Sequence, residues 1–405
     1  MRILVIHNKY KIRGGEDSCF ETETGLLREH GHKVRTLIFD NDVIDSSLIT
    51  TIKLSYKLFY NSDSAVALEK EIQEFRPQII HVHNFFYIAS PAVFYVAHKH
   101  HIPVVLTVHN FRMICAGALL LRDGKVCEKC IHSKFPVDGI IHGCYGGSAM
   151  QTAHLTCMTS FHKLAGTWRK KVTRYIVLNN FAKRKLHNSS LGLKSDQIAV
   201  KPNCVPDNGY TLPNDREDYF VFVGRLSQEK GIDVLLKARD RFPFKLKIIG
   251  TGPLEELVQE YAAKYDDVEY CGFQNSSFIT EMLKKSKGLI FPSVWYEGMP
   301  ITILEAFSTG TPVIASDIDN INEIVENNVN GIHFRLGDSD SLADALKTFN
   351  PDIDESQRFL YKQARKTFER KYTREGNYEL LMAVYHDVIG SDSEESAGYS
   401  TKLAI

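Results

Sequence analysis

Short apolar runs rich in Val and Ile alternate with helix-period segments through most of this chain, and they do so in two series. The first series is residues 2–8, 33–40, 79–84, 103–110, 174–180 and 198–202. The second is 219–225, 245–250, 268–273, 288–293, 312–317 and 331–336. Near-continuous apolar runs of this length are what strands covered on both faces require. Helical patterns fall between them, for example at 17–30, 231–241, 254–264 and 300–309. This alternation joins parallel strands through crossover helices, so the expected fold is α/β, with two tandem doubly wound Rossmann-like domains. The stretch NCVPDNGYTLPNDRED at 203–218 is dense in turn formers and marks the boundary. The expected spans are 1–203 and 204–372, then a helix at 373–390. The Ser-rich end, 391–405, holds few large apolar residues and reads as a disordered tail.

Composition excludes several classes. In 405 residues, 43% are hydrophobic and 24% charged, ordinary values for a globular chain. Lys+Arg and Asp+Glu both number 49, so there is no basic excess of the kind a nucleic-acid binder carries. No stretch approaches the ~18 apolar residues of a membrane span. The start, MRILVIHNKYKIRGGE, has a short apolar run and no small-residue cleavage site, so it does not read as a signal peptide. Eight cysteines in a chain of this kind suggest a reducing, cytoplasmic setting without a disulfide framework.

In doubly wound sheets, ligands bind beyond the carboxyl ends of the strands. After the first run, Gly14-Gly15 either makes a plain turn or brings backbone N–H groups to a ligand at a helix start. The pattern is not GxGxxG, so a dinucleotide fingerprint is absent. After the fourth run, His109 is either a satisfied core histidine or a group that hydrogen-bonds substrate. The second half carries more. In GRLSQEKG, Arg225 follows a strand and Lys230 precedes Gly231, where a helix begins. Two cations and a helix N-terminus are what a diphosphate leaving group needs when no metal is supplied. In EGMPITILE, Glu297 and Glu305 are separated by seven residues. Two solvated carboxylates, or the acid pair of a hydrolase, would fit that spacing. A carboxylate reading vicinal ribose hydroxyls fits it also.

GRLSQEKG followed by EGMPITILE, with the Gly-Gly-Glu turn and the HN at 109–110, resembles glycosyltransferase family 4 over about residues 2–390. The family is retaining, uses nucleotide sugars without a catalytic cofactor, and has the B-type fold of two Rossmann-like domains with the donor cleft between them. The stretch HNFRMICAGALLLRDGKVCEKC further resembles bacterial members that build surface polysaccharides such as O-antigen and capsule. The resemblance implies that Glu297 contacts a hydroxyl of the donor sugar and that Glu305 binds ribose. It gives Arg225 and Lys230 to the diphosphate and places His109 beside the sugar. Gly14 and Gly15 approach the donor. Gly298, Met299, Pro300 and Ile301 line the sugar–phosphate pocket, and the backbone of Phe273 or Gln274 meets the base. The last helix crosses back onto the first domain. The implied activity moves a hexose, from a UDP-sugar more readily than a GDP-sugar, to a hydroxyl of a lipid-linked glycan. The alternatives are a nucleotide-sugar 2-epimerase on the same fold and an inactive binding subunit of an assembly complex.

Two features lie outside that set. Cys115, Cys127, Cys130 and Cys144 fall within the loop at 111–147 and have the ligand count of a structural zinc site. The other reading is four reduced thiols in a loop packed by its own apolar residues. Residues 139–195 contain no Asp or Glu but carry Lys163, Arg169, Lys170, Lys171, Arg174, Lys183, Arg184, Lys185 and Lys194. This is either a solvated face or a surface for anionic lipid at the inner side of the membrane, with Trp168 as an interfacial anchor.

Overall fold

The computed structural model describes residues 1–9, 14–41, 52–349 and 354–390. The tail at 391–405 lies outside the described residues. Contacts divide the chain into two units. The first comprises Met1–Leu120, Cys127–Pro202 and the chain from Asn377 on; the second comprises Leu121–Val126 and Asn203–Gly376.

The first unit holds β1 (Arg2–Lys9), β2 (Lys33–Asp40), β3 (Ile79–Val82) and β4 (Val104–Val108). A short hairpin of β5 (Leu121–Arg122) and β6 (Lys125–Val126) interrupts the series, and β7 (Arg174–Val177) and β8 (Ile198–Val200) complete it. The main sheet has the order β2-β1-β3-β4-β7-β8, and every pairing is parallel. The second unit holds β9 (Phe220–Val223), β10 (Leu246–Ile249), β11 (Val268–Gly272), β12 (Gly288–Phe291), β13 (Val313–Asp317) and β14 (Gly331–Arg335). Its sheet, β11-β10-β9-β12-β13-β14, is also all parallel. Two parallel-sheet α/β domains are thus the architecture.

Central strands such as β3, β4, β9 and β12 are buried at every position. The edge strand β2 departs from the double-faced pattern: Ile38 is 43% exposed. An edge strand has neighbours on one side only, so its apolar residues reach solvent.

The last helix, Arg374–Ile389, supplies Leu381, Met382, Val384 and Tyr385 to the core of the first unit. They pack with Ile3, Val5, Phe20, Ile79, Val105 and Ile176. Truncating a fully buried leucine such as Leu381 to alanine costs about 2–5 kcal/mol. The second unit's core joins Ile248, Ile290 and Ile314 of the sheet to Leu235, Leu236 and Leu342 of the helices beside it. Among the described residues, no helix is long and apolar enough to cross a membrane.

Candidate functional site

In the second sheet the strand order reverses between β9 and β12. The loops after these two strands therefore leave in opposite directions and open a crevice at the sheet's carboxyl edge. Backbone contacts join the loops. Val294 N donates to Glu229 O at 2.9 Å. Gly231, at φ 72°, lies so close to Pro292 that a Cβ would stand 2.0 Å from its carbonyl oxygen. Only glycine fits there, and the approach brings the two loops' side chains together.

Lys230 Nζ lies 2.5 Å from Glu297 Oε1. Ser293 Oγ donates to the same oxygen at 2.8 Å and Trp295 Nε1 at 2.9 Å. All three donors use Oε1, and Oε2 takes none of them. Asn320 Nδ2 donates to the Glu297 carbonyl, so backbone and side chain are both held. Arg225, on the loop after β9, is exposed and has no partner among the described residues. A carboxylate fixed by one lysine beside an open guanidinium can hold a polar ligand at one end and an anion at the other.

Glu297 sits in the loop and not on the helix that follows, Ile301–Ser308, whose N-cap is Pro300. That cap has no side-chain hydrogen bond, so the first-turn N–H groups of this helix remain open beyond Gly298 and Met299. Glu305 lies further along the same helix and is half-buried. Burial pushes its carboxyl up to about 7. Phe273 and Gln274 follow the edge strand β11. Phe273 is 80% exposed, while Gln274 Nε2 donates to Cys271 O at 2.6 Å.

In the first unit the order reverses between β1 and β3. Gly14 is the N-cap of the helix Gly15–Glu29, and its N–H donates to Asp17 Oδ2 at 2.9 Å. His109 follows β4 and lines a cavity with Glu16, His83, Asn84 and Asn110. Its Nε2 is 3.2 Å from His83 Nδ1. Burial holds its pKa down to about 4, against the pull of the Glu23 charge.

The structure therefore brings Lys230 and Glu297 into contact, with Arg225 in the same loop as Lys230. It keeps Glu305, Phe273 and Gln274 on separate elements of that unit. His109, Gly14 and Gly15 belong to the other unit. Sequence reasoning passed over Ser293, Trp295 and Asn320, which shape Glu297, and Gly250, where a Cβ would stand 1.9 Å from Gly224 O. It also passed over His7, His81, His83, Glu23 and Lys201, all buried in the first unit. A signal for part of this was present: β1, β3 and β4 each run into a His-Asn pair, at 7–8, 83–84 and 109–110.

The four cysteines near residue 130 are thiols, as are the other four. Cys115 and Cys144 both pack at Gly117 and Cys130 at Gly139. Burial pushes Cys130 up to about 11, and the three other thiols push the same way. The acid-free window is not one face. Trp168 is 1% exposed and donates to Thr159 O, so it is a core residue and no interfacial anchor. Lys163 is buried too, donating to Ser190 Oγ at 3.0 Å, and burial lowers it to about 8. Lys185 pairs with Glu128 at 2.5 Å, and Arg174 pairs with Asp387.

Two parallel α/β units, with a lysine–carboxylate pair where the second sheet reverses, define the class of two-domain glycosyltransferases. The family description Glycosyltransferase Family 4 matches residues 13–208, and Glycosyl transferases group 1 matches residues 210–367. The chain belongs to glycosyltransferase family 4. It is 31% identical over 179 residues to an uncharacterized glycosyltransferase of Methanocaldococcus jannaschii, covering 42% of this chain and 45% of that one. It is 30% identical over 208 residues to a putative colanic acid biosynthesis glycosyltransferase of Escherichia coli, covering 48% and 49%. The chain thus spans about half the length of the curated relatives it matches. Its fold is similar to a glycosyltransferase from Rickettsia africae, with TM-score 0.69, 15% identity, and 96% and 99% of the two chains covered. It is similar also to Anabaena HepE in complex with UDP-glucose, with TM-score 0.65, 14% identity, and 95% and 99% covered.

The raised Glu305 carboxyl generates a proton-linkage prediction. Ribose hydroxyls donate to a carboxylate, so nucleotide binding must ionise Glu305 and release its proton. UDP affinity should fall as pH drops below about 7, by up to ~tenfold per unit from this group. The diphosphate titrates as well, so the readout is the difference between wild type and Glu305→Gln in calorimetric titrations from pH 5 to 8. Parallel pH profiles for the two proteins would remove Glu305 from the ribose site.

Proposed function

We propose that this protein is a retaining, metal-independent glycosyltransferase that moves a hexose from a nucleoside-diphosphate sugar to a hydroxyl of a lipid-linked glycan in surface polysaccharide synthesis. The observation that carries this reading is the convergence of Lys230, Ser293 and Trp295 on one oxygen of Glu297, next to the unpartnered Arg225. Similarity to a structure titled as a complex with UDP-glucose, and to a putative colanic acid biosynthesis enzyme, supports the donor and the pathway class.

In this reading Glu297 uses Oε2 for a sugar hydroxyl, Glu305 accepts from ribose, and His109 hydrogen-bonds the transferred sugar. The bond from the anomeric carbon to the diphosphate oxygen breaks while the acceptor oxygen bonds to that carbon on the same face. The acceptor's proton passes to the departing phosphate oxygen. Arg225, Lys230 and the open N–H groups before Ile303 stabilise the charge that accumulates on the diphosphate. Arg225→Ala and Lys230→Ala should each lower kcat/KM by about 2–4 kcal/mol in transition-state terms, and the double variant by less than the sum. Donor turnover with and without glycan acceptors is the measurement. Wild-type turnover in either single variant would remove the leaving-group argument, and isomerised donor formed without acceptor would turn the assignment to a 2-epimerase.

We also infer a structural zinc held by Cys115, Cys127, Cys130 and Cys144. The donor set fits, because thiols that burial and one another keep protonated become good ligands once a divalent cation displaces their protons. Elemental analysis should find about one zinc per chain, lost in Cys127→Ser. A metal-free preparation that is folded and active would overturn it.

The membrane contact is our reading as well. On the helix Ala149–Leu164, Met150, Phe161 and Leu164 are 55%, 52% and 73% exposed, and the adjoining helix Val137–Ile141 ends with Ile141 at 71%. With Arg169 and Lys170 exposed just beyond, the surface combines apolar and basic groups, as an anionic bilayer requires. Co-sedimentation with phosphatidylserine vesicles should weaken in Phe161→Ser/Leu164→Ser at any salt. In Arg169→Glu/Lys170→Glu it should weaken most at low salt, where the Debye length approaches ~30 Å. Binding unchanged by both pairs would return this face to solvent.

A further inference from the structure

Beneath the strand ends of the first unit lies a cluster of buried polar side chains, assembled from β1, β3, β4, two helices and the segment after β8. Glu23, of the helix Gly15–Glu29, is 2% exposed, and Lys201 is fully buried. Lys201 Nζ donates to Glu23 Oε1 at 2.5 Å and to Asn377 Oδ1 at 3.2 Å. Cys19 Sγ adds a contact to the same Oε1 at 3.3 Å. The other carboxylate oxygen, Oε2, faces His83 Nε2 at 3.5 Å. His83 is 2% exposed, and neither of these two atoms has another hydrogen-bond partner. On its far side, His83 Nδ1 meets His109 Nε2 at 3.2 Å, with the two rings within 19° of parallel. His81 closes the cluster, its Nδ1 against Tyr385 OH and its Nε2 against Thr107 Oγ1, both at 2.7 Å.

Proton counting gives this chain a direction. Glu23 is held below the usual carboxylate range, because Lys201 and its other neighbours outweigh burial. An ionised carboxylate only accepts. Two buried polar atoms left unpaired are costly, so the proton shared between Oε2 and His83 belongs on His83 Nε2. Burial keeps His83 well below its usual pKa, so the ring is neutral and its Nδ1 is bare. A bare Nδ1 must accept, so His109 carries its proton on Nε2. His109 is neutral too, and its Nδ1 is then an acceptor. That nitrogen has no hydrogen-bond partner among the described residues, and His109 lines the cavity.

We propose that Glu23 is a positioning residue for His109: acting through His83, it fixes the His109 tautomer so that a bare Nδ1 is offered to a hydroxyl hydrogen of the substrate sugar. Glu23 touches no substrate itself. The last helix belongs to the device, since Asn377 shares Lys201 and Tyr385 sets His81 beside Glu23. Ligand atoms of Glu23, His81 and His83 lie within 4.8 Å of one another, a spacing that a metal ion could also use. Lys201 inside the cluster and the commitment of both His81 nitrogens favour protons over a cation. The recognition of a sugar hydroxyl rests on the proposed transferase function; the tautomer does not.

The experiment reads the two separately. Full-length protein labelled with 15N-histidine gives long-range proton–nitrogen correlations that show which ring nitrogen carries hydrogen, and His109→Gln assigns the resonance. Wild type should show His109 protonated at Nε2. A glutamine at position 23 can donate, which permits the chain to reverse, so Glu23→Gln should move the proton toward Nδ1. If Glu23→Gln alone strands the Lys201 charge and fails to fold, Glu23→Gln/Lys201→Met removes both charges and serves in its place. The expected kinetic result is a loss of about tenfold in kcat/KM with UDP affinity unchanged, and partial recovery in Glu23→Asp. A His109 tautomer that is Nδ1–H in wild type, or unmoved in the double variant, overturns the proposal. So does a tautomer that changes on chelation, which would show a metal in the cluster. If the tautomer responds as stated while no sugar is transferred by wild type, the transferase reading fails and the hydrogen-bond chain stands.

Discussion

Lys230 can hold Glu297 only because two loops meet backbone to backbone at the point where the second sheet reverses its strand order. The contact of Gly231 with the Pro292 carbonyl and the Val294–Glu229 hydrogen bond fix the separation of those loops before any side chain is considered. The neighbouring loop is tied in the same way, with Leu226 N donating to Thr251 O at 3.0 Å and Leu254 N to Leu226 O at 2.9 Å. Backbone contacts of this kind are stiff, and a site built on them loses little freedom when it binds. Central strands buried at every position leave polar groups few places to stand except these loops, so fold and site follow from one constraint.

The two units manage buried charge differently. In the second, the lysine–carboxylate pair sits at the surface end of the sheet, and Glu297 keeps one oxygen open. In the first, the Glu23–Lys201 pair is sunk within the unit and surrounded by imidazoles that burial keeps neutral. A pair that deep adds little net stability over apolar residues of equal size, and breaking one partner is costly. Its retention makes physical sense as a device that dictates hydrogen-bond direction, because a carboxylate can only accept and an ammonium can only donate.

Much of this was legible in the sequence. The twelve main strands announce themselves as short Val/Ile runs, and the Arg225, Lys230 and Glu297 segments stand where strands end. What was not legible has a physical pattern. Ser293, Trp295 and Asn320 are common residues whose role comes from what lies across a loop contact. Glu23 and Lys201 are far apart in sequence, and nothing in either local pattern pairs them. Trp168 failed as an interfacial residue because a tryptophan next to Arg169 and Lys170 reads the same whether its ring faces solvent or core; the helix's rotation decides. Glu297 was placed with the following helix, but Pro300 caps that helix and leaves Glu297 in the loop.

The Lys230–Glu297 contact bears on how one lysine can serve both a carboxylate and a diphosphate. Lys has three donor hydrogens on a flexible stem, and Glu297 occupies one of them. Ser293 and Trp295 also donate to the same oxygen, so Glu297 is not left bare if Lys230 turns toward an anion. The guanidinium of Arg225 has no competing partner among the described residues, so a diphosphate meets one cation already open and a second that a neutral pair of donors can release. Formal charge around the crevice is then two cations against one ionised carboxylate, with Glu305 close to half protonated near pH 7. A dianionic leaving group raises the demand for positive charge as its bond breaks. A lysine that shifts from Glu297 toward the phosphate at that moment interacts more strongly with the transition state than with the ground state, which is the condition for accelerating the step and not merely tightening binding.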